Sequence, residues 1–145
     1  MNYGSVNDAD TYFLTQRVYS PAWEQATPEQ KQAALNHATR IIDTLNYEGT
    51  KNSTLEFPRG ADTEVPTEVI YACYEIAYNL VDGRDPDFEI ENLGQDAASI
   101  GGGGRVTKNA KMTPLHIVHG VPSETAWRLL SPFLRSGQEI TISRS

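Results

Sequence analysis

The chain is poor in the residues that reactive sites are built from. It has a single cysteine, Cys73, so no intramolecular disulfide can form and no cysteine-rich zinc site can be assembled. It has three histidines, His37, His116 and His119. The last two are three apart in "LHIVHG", which reads as a short β-prone stretch and would put them on opposite faces, so a metal site is not expected. No apolar run approaches the roughly 18 residues of a membrane span. The opening "MNYGSVNDAD" lacks the basic and apolar regions of a signal peptide, and a cytosolic protein is expected. Positive charge is also scarce. Twelve Lys and Arg face 19 Asp and Glu, for a net charge of −7. That balance argues against tight, nonspecific DNA binding, which needs many cations on phosphates. No nucleophile elbow or other catalytic constellation stands out, so neither an enzyme nor a bound cofactor is expected.

The charge is unevenly distributed. Residues 1–96 sum to −11 and residues 97–145 to +4. An acidic first part is thus followed by a basic, glycine-rich remainder, as in chains whose arm docks on an acidic neighbour. At 145 residues there is room for one modest core.

The first half reads as helices. Asn7 is the expected cap of a short helix whose apolar face is Tyr12, Phe13 and Leu14, and "SPAWEQA" suggests a further turn around Trp23. In "TPEQKQAALNHATRIIDTLNYEG", Thr27, Pro28 and Gln30 form a capping box with proline in the first turn. Ala34, Ala38, Ile41, Ile42 and Leu45 recur at helical spacing, and Gly49 is the expected stop. Leu55 and Phe57 alternate with polar residues in the next loop and are expected to plug the core. Pro66 opens the main core helix, with Val69, Cys73, Ile76 and Leu80 as its stripe, Ile70, Ala77 and Val81 beside it, and Gly83 as its end. Cys73 falls inside that stripe and reads as a small core residue.

Past Gly83 the helical period is lost. An acid-rich stretch leads into "SIGGGGRVTKNAK". Four glycines followed by cations suggest a phosphate cradle, but Gly104 precedes Arg-Val-Thr-Lys instead of the Lys-Ser/Thr of a P-loop. No strand–helix frame surrounds it either, which excludes the dinucleotide fingerprint. Ser123 then caps a closing helix that Pro132 should kink or end, and "QEITISRS" alternates Ile140 and Ile142 with polar residues as a strand without a partner. The expected fold is therefore mainly α: a small helical bundle with a long extended, β-prone arm before the last helix and a short C-terminal tail. The organisation read from the sequence is a helical body (1–87), an extended glycine-rich arm (88–122), and a C-terminal helix and tail (123–145) within one domain.

Tyr71, Tyr74 and Tyr78 share one flank of the core helix. Aromatics in a row can stack single-stranded bases, yet that helix carries Glu68, Glu75 and Asp82 and no Lys or Arg. Packing against a neighbouring helix or subunit suits them better.

The ordered set "DADTYFLTQR", "KQAALNHATRIIDTLNYEGTK", "LEFPR", "VPTEVIYACYEIAYNLVDG", "RVTKNAKM" and "AWRLLSPFLRSG" resembles the head–tail connector (adaptor) proteins of tailed bacteriophages. Members of that group are sometimes labelled DnaT-like. The resemblance runs over roughly residues 5–137, and none of these motifs is catalytic. It implies a structural virion protein at the head–tail junction, made in the bacterial cytoplasm. About a dozen copies would form a cyclic homo-oligomer, bind the portal and a tail nozzle or tube protein, and continue a channel that passes double-stranded DNA without gripping it. The four glycines and "MTPLHIVHG" depart from the family's pattern. The expected contacts to neighbouring subunits, portal or tail are Tyr71, Tyr74, Tyr78, Gly101, Gly102, Gly103, Gly104, Arg105, Lys108, Lys111, Trp127, Phe133, Arg135, Ile140 and Ile142. The alternative reading is a DnaT-like single-stranded DNA-binding replication accessory protein, supported by the three tyrosines and by Arg105, Lys108 and Lys111.

Overall fold

The structure is a computed structural model that describes residues 2–51, 54–60, 62–83 and 114–135. These form six helices: α1 (Val6–Gln16), α2 (Pro21–Gln25), α3 (Pro28–Asp43), α4 (Thr67–Val81), α5 (Leu115–Val118) and α6 (Glu124–Leu130), followed by a 3-10 turn, Ser131–Phe133. The architecture is mainly α, as the sequence pattern predicts. The glycine-rich stretch 101–104, Arg105, Lys108, Lys111, Ile140 and Ile142 lie outside the described residues, as does most of the predicted arm.

The helices begin where side chains can satisfy free backbone donors. Thr27 and Gln30 close the capping box at the start of α3, each side chain accepting from the other's backbone N–H. Ser123 caps α6 by accepting from Ala126 N at 3.1 Å. The cap of α1 is Ser5, which accepts from Asp8 N at 3.2 Å, and not the predicted Asn7. Both residue types cap well, so only the backbone turn decides between them. Likewise α3 ends at Asp43, six residues before Gly49. The N–H of Thr44 donates to the Ile41 and Ile42 carbonyls, and Thr44 Oγ1 donates to Ile41 O. The chain then turns inward, burying Leu45 and Tyr47.

The centre of the molecule is the α3–α4 pair. Leu35, Ala38 and Ile42 face Val69, Cys73 and Ile76, all completely or almost completely buried. Burying each large aliphatic side chain contributes roughly 1.5–3 kcal/mol. Cys73 Sγ lies 3.8 Å from Leu35 O, inside the core as predicted. Burial pushes its thiol up to about 12, so it holds its proton. Helix α6 covers another side of α4 with Ala126 and Leu130, and α1 lies across α3 and α4 with Ala9 and Phe13 inward. Leu14 was expected on that apolar face but is 79% exposed.

The loop between α3 and α4 is tied down by aromatic packing and one arginine. Phe57 is buried against Tyr47 (ring centroids 4.6 Å), Phe133 (5.5 Å) and Tyr3 (6.2 Å). Leu55 packs on the same core, so the loop plugs it as predicted. Arg59 donates to the carbonyls of Gly49 (2.7 Å) and Glu48 (3.0 Å) and to the Glu56 carboxylate (2.8 Å). Isolated antiparallel bridges join Tyr47 to Leu134 and Lys51 to Arg59.

The stretch "LHIVHG" is helical and not extended. Val118 N and His119 N donate to the carbonyls of Pro114 and Leu115, and Gly120 (φ +84) reverses the chain. Val121 is buried in the core and Leu115 packs against it, so this end of the predicted arm lies on the body. Pro132 ends α6 in the 3-10 turn, as expected of a proline that cannot donate.

Candidate functional site

The three tyrosines of α4 are the natural starting point. Tyr74 and Tyr78 are buried and Tyr71 is half-buried. Their partner is α1: the Tyr12 ring sits 4.6 Å from Tyr71 and 5.3 Å from Tyr74, and Phe13 lies 5.6 Å from Tyr78. The row of aromatics that could have stacked bases is a helix–helix seam within one chain. The neighbouring helix against which they pack is α1.

Inside that seam lies a group with no apolar signature. Glu75 is 7% exposed. Its Oε2 accepts from Tyr12 Oη at 2.6 Å, and its Oε1 is 3.5 Å from Arg17 Nη1. Arg17 also lies over the Tyr78 ring at 4.0 Å, a cation–π contact. Nη1 is buried and makes no hydrogen bond, so the link to Glu75 is ionic. Burial and the hydrogen bond to Glu75 raise the Tyr12 phenol well above its ordinary value. A cleft of about 470 Å³ opens beside this pair, lined among others by Asn79, His116, Ser123 and Thr125. His116 is not free in it, because Nδ1 pairs with Val121 O at 2.7 Å.

A second polar cluster pins the N-terminal segment. Tyr3 is 1% exposed; its hydroxyl donates to Asp43 Oδ1 at 2.6 Å and accepts from Phe57 N at 3.1 Å. Burial raises the Asp43 carboxyl above its ordinary value, the Tyr3 and Glu56 N–H hydrogen bonds opposing it.

Among the described residues, the other predicted contacts are Trp127, Phe133 and Arg135, and each has a partner within the chain. Trp127 is 8% exposed and stacks on His119 at 5.1 Å. Phe133 is half-buried on Phe57. Arg135 is exposed, and its Nε donates to Tyr47 O at 3.0 Å. Of the seven described cations, Arg17, Lys31, Lys51, Arg59 and Arg128 are each within 4 Å of a carboxylate. The described residues therefore present no stripe of available positive charge. They also hold no group of three or more His, Cys, Asp and Glu able to bind a metal, and no helix long and apolar enough to cross a membrane.

Residues 2–95 match the model of a protein family described as "Putative DnaT-like ssDNA binding protein". The chain belongs to this family. The matched span takes in α1 to α4 and the Arg59 loop, whereas α5 and α6 lie beyond it. No curated protein and no solved structure matches the chain. The inward tyrosines and the paired cations are thus features of this DnaT-like family member's own body. The buried Glu75–Arg17 pair escaped sequence reasoning, because a helix glutamate beside Glu68 and Asp82 reads as solvated. Its sequence cue was its place between Tyr74 and Ile76, in the apolar middle of the helix.

Proposed function

We propose that this DnaT-like chain is a non-catalytic structural subunit, a head–tail adaptor that assembles as a ring between portal and tail. The observation that carries this reading is the closure of the body. The aromatics of α1 and α4 fill the seam between them, and five of the seven described cations already pair with carboxylates. Such a body suits packing beside copies of itself and enclosing DNA without holding it, because its net acidity repels phosphates. The resemblance of "ATRIID", "LEFPR" and "VPTEV" to connector proteins supplies the assembly. Native mass spectrometry of the chain mixed with its portal protein tests the proposal. A ring-sized complex on the portal is expected; free chain and free portal at all mixing ratios would refute it.

Single-stranded DNA binding is the second reading, and the family's description favours it more directly than it favours the first. On this reading the phosphate contacts come from Arg105, Lys108 and Lys111, since among the described cations only Arg40 and Arg135 are not within reach of a carboxylate. Fluorescence anisotropy with a labelled oligonucleotide should then show micromolar binding that weakens steeply with salt. No change at low salt would remove it.

A further inference from the structure

Three of the four exposed large apolar side chains among the described residues fall within six residues of chain: Leu14 (79% exposed), Val18 (107%) and Tyr19 (75%). Leu14 lies in the last turn of α1, and Val18 and Tyr19 follow its C-cap, Arg17. Together they expose on the order of 400 Å², the size of the largest apolar patch on an ordinary monomer, which is often a functional one.

The surroundings of the patch are unusual for this molecule. The described residues carry seven cations and thirteen carboxylates, yet Thr11, Thr15 and Gln16 beside the patch are uncharged. The one charge within it, Arg17, turns inward to Glu75 and the Tyr78 ring. Asp10, one turn before Leu14, is held by Lys31 at 3.0 Å. Two net-acidic copies repel over most of their surfaces, and an uncharged apolar patch is where a second copy approaches at least cost. With no cation presented, the patch does not suit a phosphate backbone.

We infer that Leu14, Val18 and Tyr19 form a contact surface for a second copy of this chain. About 400 Å² is half of the roughly 800 Å² per partner in a stable two-body interface. One contact is therefore weak, and it holds only at high concentration or when several are closed together in a ring. In a cyclic array the contact is head-to-tail, so the patch meets a different surface of the neighbour. This inference deepens the adaptor reading and rests on it for the ring.

Sedimentation velocity of the full chain from about 5 to 500 μM tests it, with Val18→Asp and Tyr19→Ser as variants at exposed positions that leave the thermal melt unchanged. The wild type should associate as concentration rises, and more strongly at 500 mM than at 50 mM NaCl, because the contact is apolar and salt screens the repulsion between acidic copies. Either variant should weaken association at least tenfold. A wild type that stays monomeric throughout, or a Val18→Asp that associates equally, overturns the inference. If Val18→Asp instead loses portal or oligonucleotide binding while the wild type is monomeric, the patch belongs to that partner and the inference also fails. The two readings separate cleanly. Val18→Asp rings on the portal at wild-type yield would sink the patch and keep the adaptor. Patch-dependent association without portal rings would do the reverse.

Discussion

Raising the pH should unfold this protein in a range where its helices would otherwise survive. Tyr3 and Tyr47 are 1% and 2% exposed, and Cys73 is fully buried. Tyr3 donates to the Asp43 carboxylate and Tyr47 to the Ile42 carbonyl, so neither can lose its proton without losing that bond. Desolvation raises both phenols far above 10.0, and raises the Cys73 thiol from 9.0 to about 12. In each case the folded state holds the proton more tightly than the unfolded chain. The stability these groups contribute is complete below about pH 9 and is lost as the pH rises. Each group removes about 1.4 kcal/mol per pH unit once the unfolded chain ionises and the folded one does not. By pH 11 the thiol has cost about 3 kcal/mol and the two phenols about 1 each, roughly 5 in all. Total stability for a domain is about 5–15 kcal/mol, so the transition should begin near pH 11. Far-UV circular dichroism and tyrosinate absorbance, recorded together, check this. The absorbance of the buried tyrosines should rise only with loss of helix, and Tyr47→Phe should flatten the pH dependence by about one proton. Complete tyrosinate formation near pH 10 with native helix content would refute the reasoning.

Three further outcomes are expected. Glu75→Gln leaves Arg17, about a quarter exposed, beside a neutral partner; it should cost about 2 kcal/mol, less than a fully buried pair would, and Arg17→Met with Glu75→Gln should recover part of that in a denaturant-based double-mutant cycle. Phe57→Ala removes a ring packed against Tyr3, Tyr47 and Phe133 and should cost about 3–5 kcal/mol by urea unfolding, whereas less than about 1 would mean that the loop does not plug the core. Gly4→Ala drives a Cβ into the Tyr74 hydroxyl at a φ of +80 and should lower stability by roughly 2 kcal/mol in calorimetry, whereas an unchanged melting temperature would show that the N-terminal segment is not seated there.

What the amino-acid order determined by itself is local. The Thr27–Gln30 capping box, the apolar stripe of α4 around Cys73 and the end of α6 at Pro132 depend on residues a few positions apart, and all appear as the pattern requires. Ser5 against Asn7 was undecidable in that way, because both are good caps and the choice lies in the backbone turn. Four residues, as in Leu115–Val118, are too few to show a helical period, so α5 reads as extended until Leu115 and Val121 have a core to pack on. Tertiary structure alone decided the interior of the candidate site. Glu75 is buried because Tyr12, 63 residues earlier, donates to it and Arg17 pairs with it. The tyrosines face inward because α1 lies across them, and Leu14 faces outward because no described helix covers it. A sequence specifies which side chains can pack, but burial is a relation between distant segments, and it exists only once the chain has brought them together.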